Sequence, residues 1–191
     1  MKIALGLALL LASGVAVCST QLPQECKPPA SAEQALRNNP SAKTYDEAGS
    51  WFAQTGNLKC ALAAYEAAVQ LDPHSAQAHY NLGVAHERAR QPAAAAAELR
   101  LALKYKPGMT KAHNSLGFLL MDMGDSTEAE TEFRAALELD PKLVLALVGL
   151  GMVRANKGDA EGAEKLFRQA MENDPSYEQA HLNLGLDLAK Q

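Results

Sequence analysis

Aromatic residues make up only 5% of the 191-residue sequence, which has a single tryptophan. Basic residues are also few, 18 Lys and Arg against 22 Asp and Glu, and they form no stripe, so the charge pattern of a nucleic-acid-binding protein is absent. The sequence has no glycine loop that fits a phosphate cradle and no paired nucleophile and base. We therefore predict no catalytic residue, no cofactor and no nucleic-acid partner.

The longest apolar run lies at the N-terminus. Lys2 is followed by an apolar run, Ile3 to Val17, broken by two glycines and a serine. This run has the length of a signal-peptide core and is short for a membrane span, which needs roughly 20 apolar residues. We expect residues 1–20 to be a cleaved secretory signal, which leaves a periplasmic or secreted protein without a membrane span. An uncleaved membrane anchor over residues 3–20 and a lipid on Cys18 remain as alternatives.

A repeat of 34 residues runs through most of the sequence. One glycine, one proline and two alanine positions recur at this interval. They are Gly49, Gly83, Gly117, Gly151 and Gly185; Pro73, Pro107, Pro141 and Pro175; Ala61, Ala95, Ala129 and Ala163; and Ala68, Ala102, Ala136 and Ala170. A fixed period of this length is typical of stacked supersecondary units that form a solenoid.

Each repeat has the pattern of a helical hairpin. Two stripes with helical spacing occur between Thr110 and Leu143: His113, Leu116, Gly117 and Leu120, then Ala129, Phe133, Ala136 and Leu137. The dipeptide Gly124-Asp125 separates them as a turn and cap signal, and Asp140-Pro141 ends the second stripe. One such hairpin is too small to bury its apolar face, so the repeats must stack.

These positions resemble the tetratricopeptide repeat pattern, which has a large residue at repeat position 4, Leu-Gly or Leu-Ala at 7 and 8 and a large residue at 11. Gly at 15, Ala at 20, an aromatic at 24, Ala at 27 and Pro at 32 complete it. The first repeat matches with Tyr45, Ala48, Gly49, Phe52, Gly56, Ala61, Tyr65, Ala68 and Pro73. The second departs at Arg90, which replaces the turn glycine. The resemblance implies an all-α solenoid, a right-handed superhelix of helix-turn-helix repeats. It also implies a scaffold without catalysis, whose first helices line a concave groove for a peptide or a partner helix.

On this pattern we divide the chain into seven segments. They are a signal peptide (1–20), an N-terminal extension with a short helix (21–41), four repeats (42–75, 76–109, 110–143 and 144–177) and a C-terminal capping helix (178–191).

The groove face of the first helices consists of repeat positions 2, 5, 9, 12 and 13, opposite the positions that face the core. These positions are mostly polar in the first two repeats. They include Phe118 and Met121 in the third repeat, are apolar except for Asn156 in the fourth, and include Leu182 and Leu186 in the capping helix. An apolar outer face indicates that a partner covers it, and Met and Phe suit adaptable peptide contacts. The candidate partner-binding residues are Tyr80, Val84, Lys111, Asn114, Phe118, Met121, Leu145, Val148, Met152, Leu182 and Leu186. The alternative is that curvature of the superhelix buries these side chains against neighbouring helices.

Chaperone-binding members of the family hold a partner's carboxylate in a clamp of Lys, Asn and Arg residues. Asn81 and Lys111 match two of those roles, whereas Asp46, Ser50 and Ser115 occupy the other three. We therefore expect no carboxylate clamp in this protein.

Cysteines and histidines suggest structural roles. Cys26 and Cys60 would be the cysteines left in the mature protein, and we predict a disulfide between them in an oxidising compartment. The alternative is one buried thiol and one in a flexible loop. His79, His113 and His181 share repeat position 4, too far apart for one metal, so we expect buried or half-buried core histidines and no metal site.

The capping helix carries leucines on more than one face. We expect Leu184 and Leu188 to pack on the fourth repeat, and Leu182 and Leu186 to face the groove side, covered by a partner or by a homodimer contact. The leading functional hypothesis is an extracytoplasmic interaction scaffold. The alternative is a structural part of an envelope or of a secretion or pilus-type assembly.

Overall fold

The computed structural model describes residues 21–189; the predicted signal segment and residues 190–191 lie outside it. This part of the chain contains ten α-helices and no strand. The helices are α1 Ala30–Asn38, α2 Ala42–Gln54, α3 Leu58–Leu71, α4 Ala76–Arg88, α5 Pro92–Tyr105, α6 Thr110–Asp122, α7 Ser126–Leu139, α8 Val144–Asn156, α9 Ala160–Asn173 and α10 Glu178–Leu188.

Helices α2 to α9 form four hairpins that stack in chain order, and α10 packs on α9 and α8. The first helices α2, α4, α6, α8 and α10 also contact one another in succession. The fold is therefore the all-α repeat solenoid that the periodicity predicts. None of the helices in residues 21–189 is long and apolar enough to cross a bilayer.

The residues in the turns determine how the two helices of each hairpin are joined. Gly56, Gly124 and Gly158 join the two helices of their hairpins with φ angles of +80°, +87° and +81°, where side chains are disfavoured. Arg90 takes this place in the second repeat with φ of +60°, which costs about 1 kcal/mol. The next helix then begins with Pro92 in its first turn. The turn therefore keeps its shape without the glycine, at a local cost in stability.

The other periodic glycines let the two helices of each hairpin approach closely. A Cβ atom at Gly49, Gly83, Gly117 or Gly151 would lie within 3.0 Å of a large side chain on the second helix. The distances are 2.6 Å to Tyr65, 2.9 Å to Leu99, 2.7 Å to Phe133 and 2.5 Å to Phe167. These large side chains, between 0% and 5% exposed, fill the space that the glycines leave. The 34-residue period is thus a packing requirement.

The N-terminal extension is held against the first hairpin. Cys26 and Cys60 form a disulfide with a Cα–Cα distance of 5.3 Å. Next to it, Lys59 Nζ donates a hydrogen bond to Glu25 Oε1 at 2.8 Å. Leu22 of the extension packs against the same cluster of buried side chains as the disulfide. The extension and α1 therefore cover one end of the stack.

Helix α10 covers the other end less completely. Leu184 is 8% exposed and packs against α9, as expected, but Leu188 is 45% exposed, so the expectation that it packs on the fourth repeat is wrong. In the earlier hairpins the corresponding face of the first helix is covered by the second helix. Among residues 21–189 no helix follows α10, and a Cβ at Gly185 would meet no atom within 4 Å.

Candidate functional site

The groove face of the first helices is the candidate site, and the structure divides its predicted residues into three groups. Lys111, Leu145, Leu182 and Leu186 are exposed. Tyr80, Val84, Asn114, Phe118, Met121 and Met152 are half-buried. Val148 is 1% exposed and packs with Phe167 and Leu184, so its assignment to the partner-binding surface is wrong. It is buried because side chains of α9 and α10 pack against it.

Phe118 belongs partly to the core. Its ring packs edge-on against Phe133, with the ring centroids 4.9 Å apart and an angle of 74° between the planes. Curvature therefore buries part of the apolar groove face, as the alternative interpretation proposed. The apolar surface that stays open is concentrated on α8 and α10, where Leu145, Leu182 and Leu186 are 41%, 56% and 53% exposed.

The groove beside α2 and α4 is polar and internally hydrogen-bonded. It holds a crevice of about 410 Å³ lined by Ser50, Tyr65 and Asn81, among others. Asn81 Nδ2 donates a hydrogen bond to Asp46 Oδ1 at 2.7 Å, and the Tyr65 hydroxyl is 3.2 Å from Ser50 Oγ. Burial raises the pKa of Asp46, opposed by the hydrogen bond from Asn81. Ser50, Tyr65 and Asn81 of this first crevice are thus paired within the protein, and Gln54 and Arg88 also line it.

Acidic groups mark the middle of the groove. Burial raises the pKa of Glu87, and repulsion from Asp122 on the next first helix raises it further. Both side chains line an open depression of about 560 Å³ together with Arg90. This arrangement disfavours a carboxylate in the middle of the groove.

A crevice of about 120 Å³ between α8, α9 and α10 repeats the first crevice at the other end of the solenoid, and we call it the C-terminal crevice. It is lined by Met152, Ala155, Asn156, Phe167, Asn183, Leu186 and Asp187. Asp187 is 6% exposed, and its Oδ2 atom and the Nδ2 atom of Asn183 have no hydrogen-bond partner in the described structure.

Asn183 and Asp187 were not predicted as site residues from the sequence. A signal existed for Asp187, which occupies the same repeat position as Ala85, Leu119 and Val153. A carboxylate at a position that is apolar in the preceding repeats is a local inconsistency of the kind that functional sites show.

The histidines form structural contacts. The Nδ1 atoms of His79 and His113 each lie 2.6 Å from Oε2 of a glutamate, Glu98 and Glu132 respectively. Their Nε2 atoms donate hydrogen bonds to the backbone carbonyls of Pro73 and Pro107 at 3.0 and 2.8 Å. His181 makes the equivalent bond to Pro175 but is exposed, so the expectation that it is buried or half-buried is wrong; α10 has no second helix against it here. Within residues 21–189 no three His, Cys, Asp or Glu side chains are arranged to hold a metal ion.

Sequence models of one repeat family match most of the chain. A model described as TPR repeat matches residues 49–89, and models described as tetratricopeptide repeat match residues 76–108 and 115–186. A search of curated proteins found no match.

Several solved structures share the fold. YrrB, described as a TPR protein with an unusual peptide-binding site, is 26% identical with a TM-score of 0.72, over 83% of this chain and 82% of that one. MamA is 24% identical with a TM-score of 0.70, over 78% of this chain and 87% of that one. PilF of Pseudomonas aeruginosa is 23% identical with a TM-score of 0.72, over 84% of this chain and 70% of that one.

Proposed function

The chain belongs to the tetratricopeptide repeat family, and from that premise we propose that it is an extracytoplasmic, non-catalytic scaffold that binds one segment of a partner protein in its concave groove. Proteins of this family are generally protein–protein interaction scaffolds without catalytic activity. The binding site and the compartment are the parts that we propose.

The observation that carries the proposal is the open apolar surface on α8 and α10. Leu145, Leu182 and Leu186 are each about half exposed on the groove side, and Met152 lies half-buried beside Leu186 in the C-terminal crevice. Fully burying one leucine is worth about 1.5–3 kcal/mol. Covering the exposed halves of the three leucines therefore supplies roughly 3 kcal/mol of gross binding energy.

Polarity along the groove supports an amphipathic segment. In the crevice at α2 and α4, Asn81 is paired with Asp46 and Tyr65 with Ser50. The middle of the groove carries Glu87 and Asp122. A partner that places apolar side chains at α8 and α10 and polar or basic ones towards the middle fits both regions.

Two observations support a location outside the cytoplasm. The first is the apolar N-terminal run of a secretory signal. The second is the disulfide between Cys26 and Cys60, since structural disulfides persist in oxidising compartments. Membrane attachment through an uncleaved segment stays a prediction of the sequence.

The second candidate function, a structural part of an envelope assembly, rests on apolar surface outside the groove. Leu71 and Leu139, at the ends of α3 and α7, are 40% and 46% exposed. They lie on second helices, so a partner that covered them would leave the groove free.

These leucines also supply a matched control. We propose to capture the partner from the native envelope fraction with the wild type, with Leu145→Ser/Leu182→Ser and with Leu71→Ser/Leu139→Ser. Groove binding predicts that only the first variant loses the partner while both keep the wild-type melting temperature. Loss with the second variant alone favours the assembly role, and retention by both variants contradicts groove binding. Light scattering of the same proteins separates a homodimer through α10 from a different partner.

A further inference from the structure

We propose that the C-terminal crevice is a subsite that selects a carboxamide, the side chain of Gln or Asn, in the partner segment. The inference rests on the proposed function, since it assumes that a partner segment lies in the groove. It adds the chemistry that the partner presents between α8 and α10.

The first observation is that two polar atoms of the same crevice have no hydrogen-bond partner among residues 21–189. Asp187 is 6% exposed with its Oδ2 unbonded, and Asn183 Nδ2 is buried and unbonded. Gln179 Nε2 donates to Asn183 Oδ1 at 3.0 Å, which fixes the amide so that its Nδ2 is the unpaired atom. Leaving a buried donor or acceptor unpaired is costly, and such groups in folded proteins call for an explanation.

Comparison between repeats explains why the protein itself does not pair them. At the other end of the groove Asn81, the counterpart of Asn183, donates to Asp46. The counterpart of Asp46 is Val148, which has no acceptor and is 1% exposed. Asn183 has therefore lost its intramolecular partner.

The position of Asp187 shows the same kind of departure. Its counterparts are Trp51, which is 37% exposed, and Ala85, Leu119 and Val153, which are between 0% and 3% exposed. An apolar residue occupies this position in all four preceding repeats, so the carboxylate of Asp187 is not needed for packing. A group that the fold does not require and that burial disfavours points to a ligand.

The pair of unpartnered atoms defines the chemistry of that ligand. Asn183 Nδ2 needs an acceptor, and Asp187 Oδ2 needs a donor. Lys and Arg side chains offer donors only, and a carboxylate offers acceptors only and is repelled by Asp187. A carboxamide offers both an oxygen acceptor and N–H donors.

The walls of the crevice agree with this assignment. Among residues 21–189, no residue that lines the crevice carries a positive charge. Met152, Phe167 and Leu186 provide apolar contacts for the methylene groups of a Gln or Asn side chain. The volume of about 120 Å³ equals the liquid volume of about four water molecules, which accommodates a carboxamide with a methylene group.

The experiment uses capped peptides of one sequence in which leucines flank a single variable residue, either Gln, Met, Glu, Lys or Ser. Fluorescence anisotropy gives the dissociation constant of each peptide for the purified protein. We expect the Gln peptide to bind about tenfold more tightly than the Met peptide, since the Met side chain leaves both polar atoms unpaired. The Glu peptide should bind most weakly.

Two variants test whether Asp187 is responsible. Asp187→Val introduces the residue found at Val153; it should abolish the preference for Gln over Met and raise the melting temperature of the free protein. Asp122→Val removes the same charge from the middle of the groove and should leave the preference unchanged. Greater stability with lost selectivity is a combination that a structural role for Asp187 does not produce.

Several results would overturn the inference. Equal dissociation constants for the Gln and Met peptides would contradict the carboxamide subsite but not the proposed binding of a segment in the groove. Preference for the Lys or Ser peptide would show that the subsite selects a cation or a hydroxyl instead of a carboxamide. A lower melting temperature for Asp187→Val shows that Asp187 has a partner within the protein. If no peptide binds, the inference fails, and the capture experiment with Leu145→Ser/Leu182→Ser still decides the proposed function by itself.

Discussion

The contact between His113 and Glu132 allows a quantitative test of how polar groups stabilise this solenoid. His113 Nδ1 is 2.6 Å from Glu132 Oε2, and the two side chains are 15% and 16% exposed. The fourth repeat has Leu147 and Leu166 at the same two positions. The neighbouring hairpin thus has an apolar pair in place of this polar contact. We predict that His113→Leu and Glu132→Leu are each destabilising alone and close to neutral together.

The magnitudes follow from burial. Removing one partner leaves the other polar group largely buried and unpaired, which costs about 1–3 kcal/mol of unfolding free energy. Replacing a buried ion pair by apolar residues of similar volume is often neutral or stabilising. The double-mutant cycle should therefore give a coupling free energy of about 2 kcal/mol or more. Urea unfolding followed by circular dichroism measures all four proteins.

The pH dependence supplies an independent check. The hydrogen bond to Glu132 raises the pKa of His113 above its ordinary value, against the opposing effect of burial. A raised pKa in the folded state stabilises the protein fully below the unfolded pKa of about 6.5, and this contribution is lost as the pH rises through the folded value. The wild type should lose more stability than the double variant between pH 6 and pH 9. Additive single substitutions, or equal pH profiles, would refute this account of the contact.

Three further predictions concern the turns, the glycines and the disulfide. Cys26→Ser with Cys60→Ser opens a cross-link of 34 residues and should cost about 4 kcal/mol in unfolding free energy by the loop-entropy relation; a loss below about 1 kcal/mol in urea unfolding would contradict it. Gly117→Leu should lower the unfolding free energy by about 1–3 kcal/mol through overpacking, and with it the melting temperature. Gly185→Leu, whose Cβ meets no atom within 4 Å, should leave the melting temperature unchanged; similar melting curves would disprove the proposed register. Arg90→Gly should raise the unfolding free energy by about 1 kcal/mol, because it relieves the positive φ; calorimetry showing no gain would mean that the turn is unstrained.

The fold could be predicted from the sequence because each helix and turn signal recurs in several repeats. One glycine or proline is a weak signal, but the same residue at the same place in successive hairpins indicates a shared contact. Gly117 against Phe133 illustrates this, since the small and the large residue recur together. The apolar character of α8 and α10 was also visible without coordinates.

The side-chain environment of the groove was predictable only in part. A helical wheel describes one helix, so it could not show that side chains of α9 and α10 bury Val148. It also assigned Leu188 and His181 to packed positions, and both residues are exposed in the structure. Asn183 and Asp187 escaped notice for a different reason, since their unpaired state appears only when the partners of every nearby polar atom are known.

The unequal ends of the stack formed by residues 21–189 have a consequence for its dynamics. Hairpins that contact only their neighbours open from the termini, so local stability follows position along the stack. The disulfide anchors the end at α2 and α3, whereas α10 packs on one side only and leaves Leu188 exposed. Amide hydrogen exchange should therefore be fastest in α10 and slow progressively towards the first hairpin. Since α10 also carries Leu182 and Leu186, a bound partner segment would slow amide exchange most in α10. Binding of the segment and folding of α10 would therefore stabilise each other.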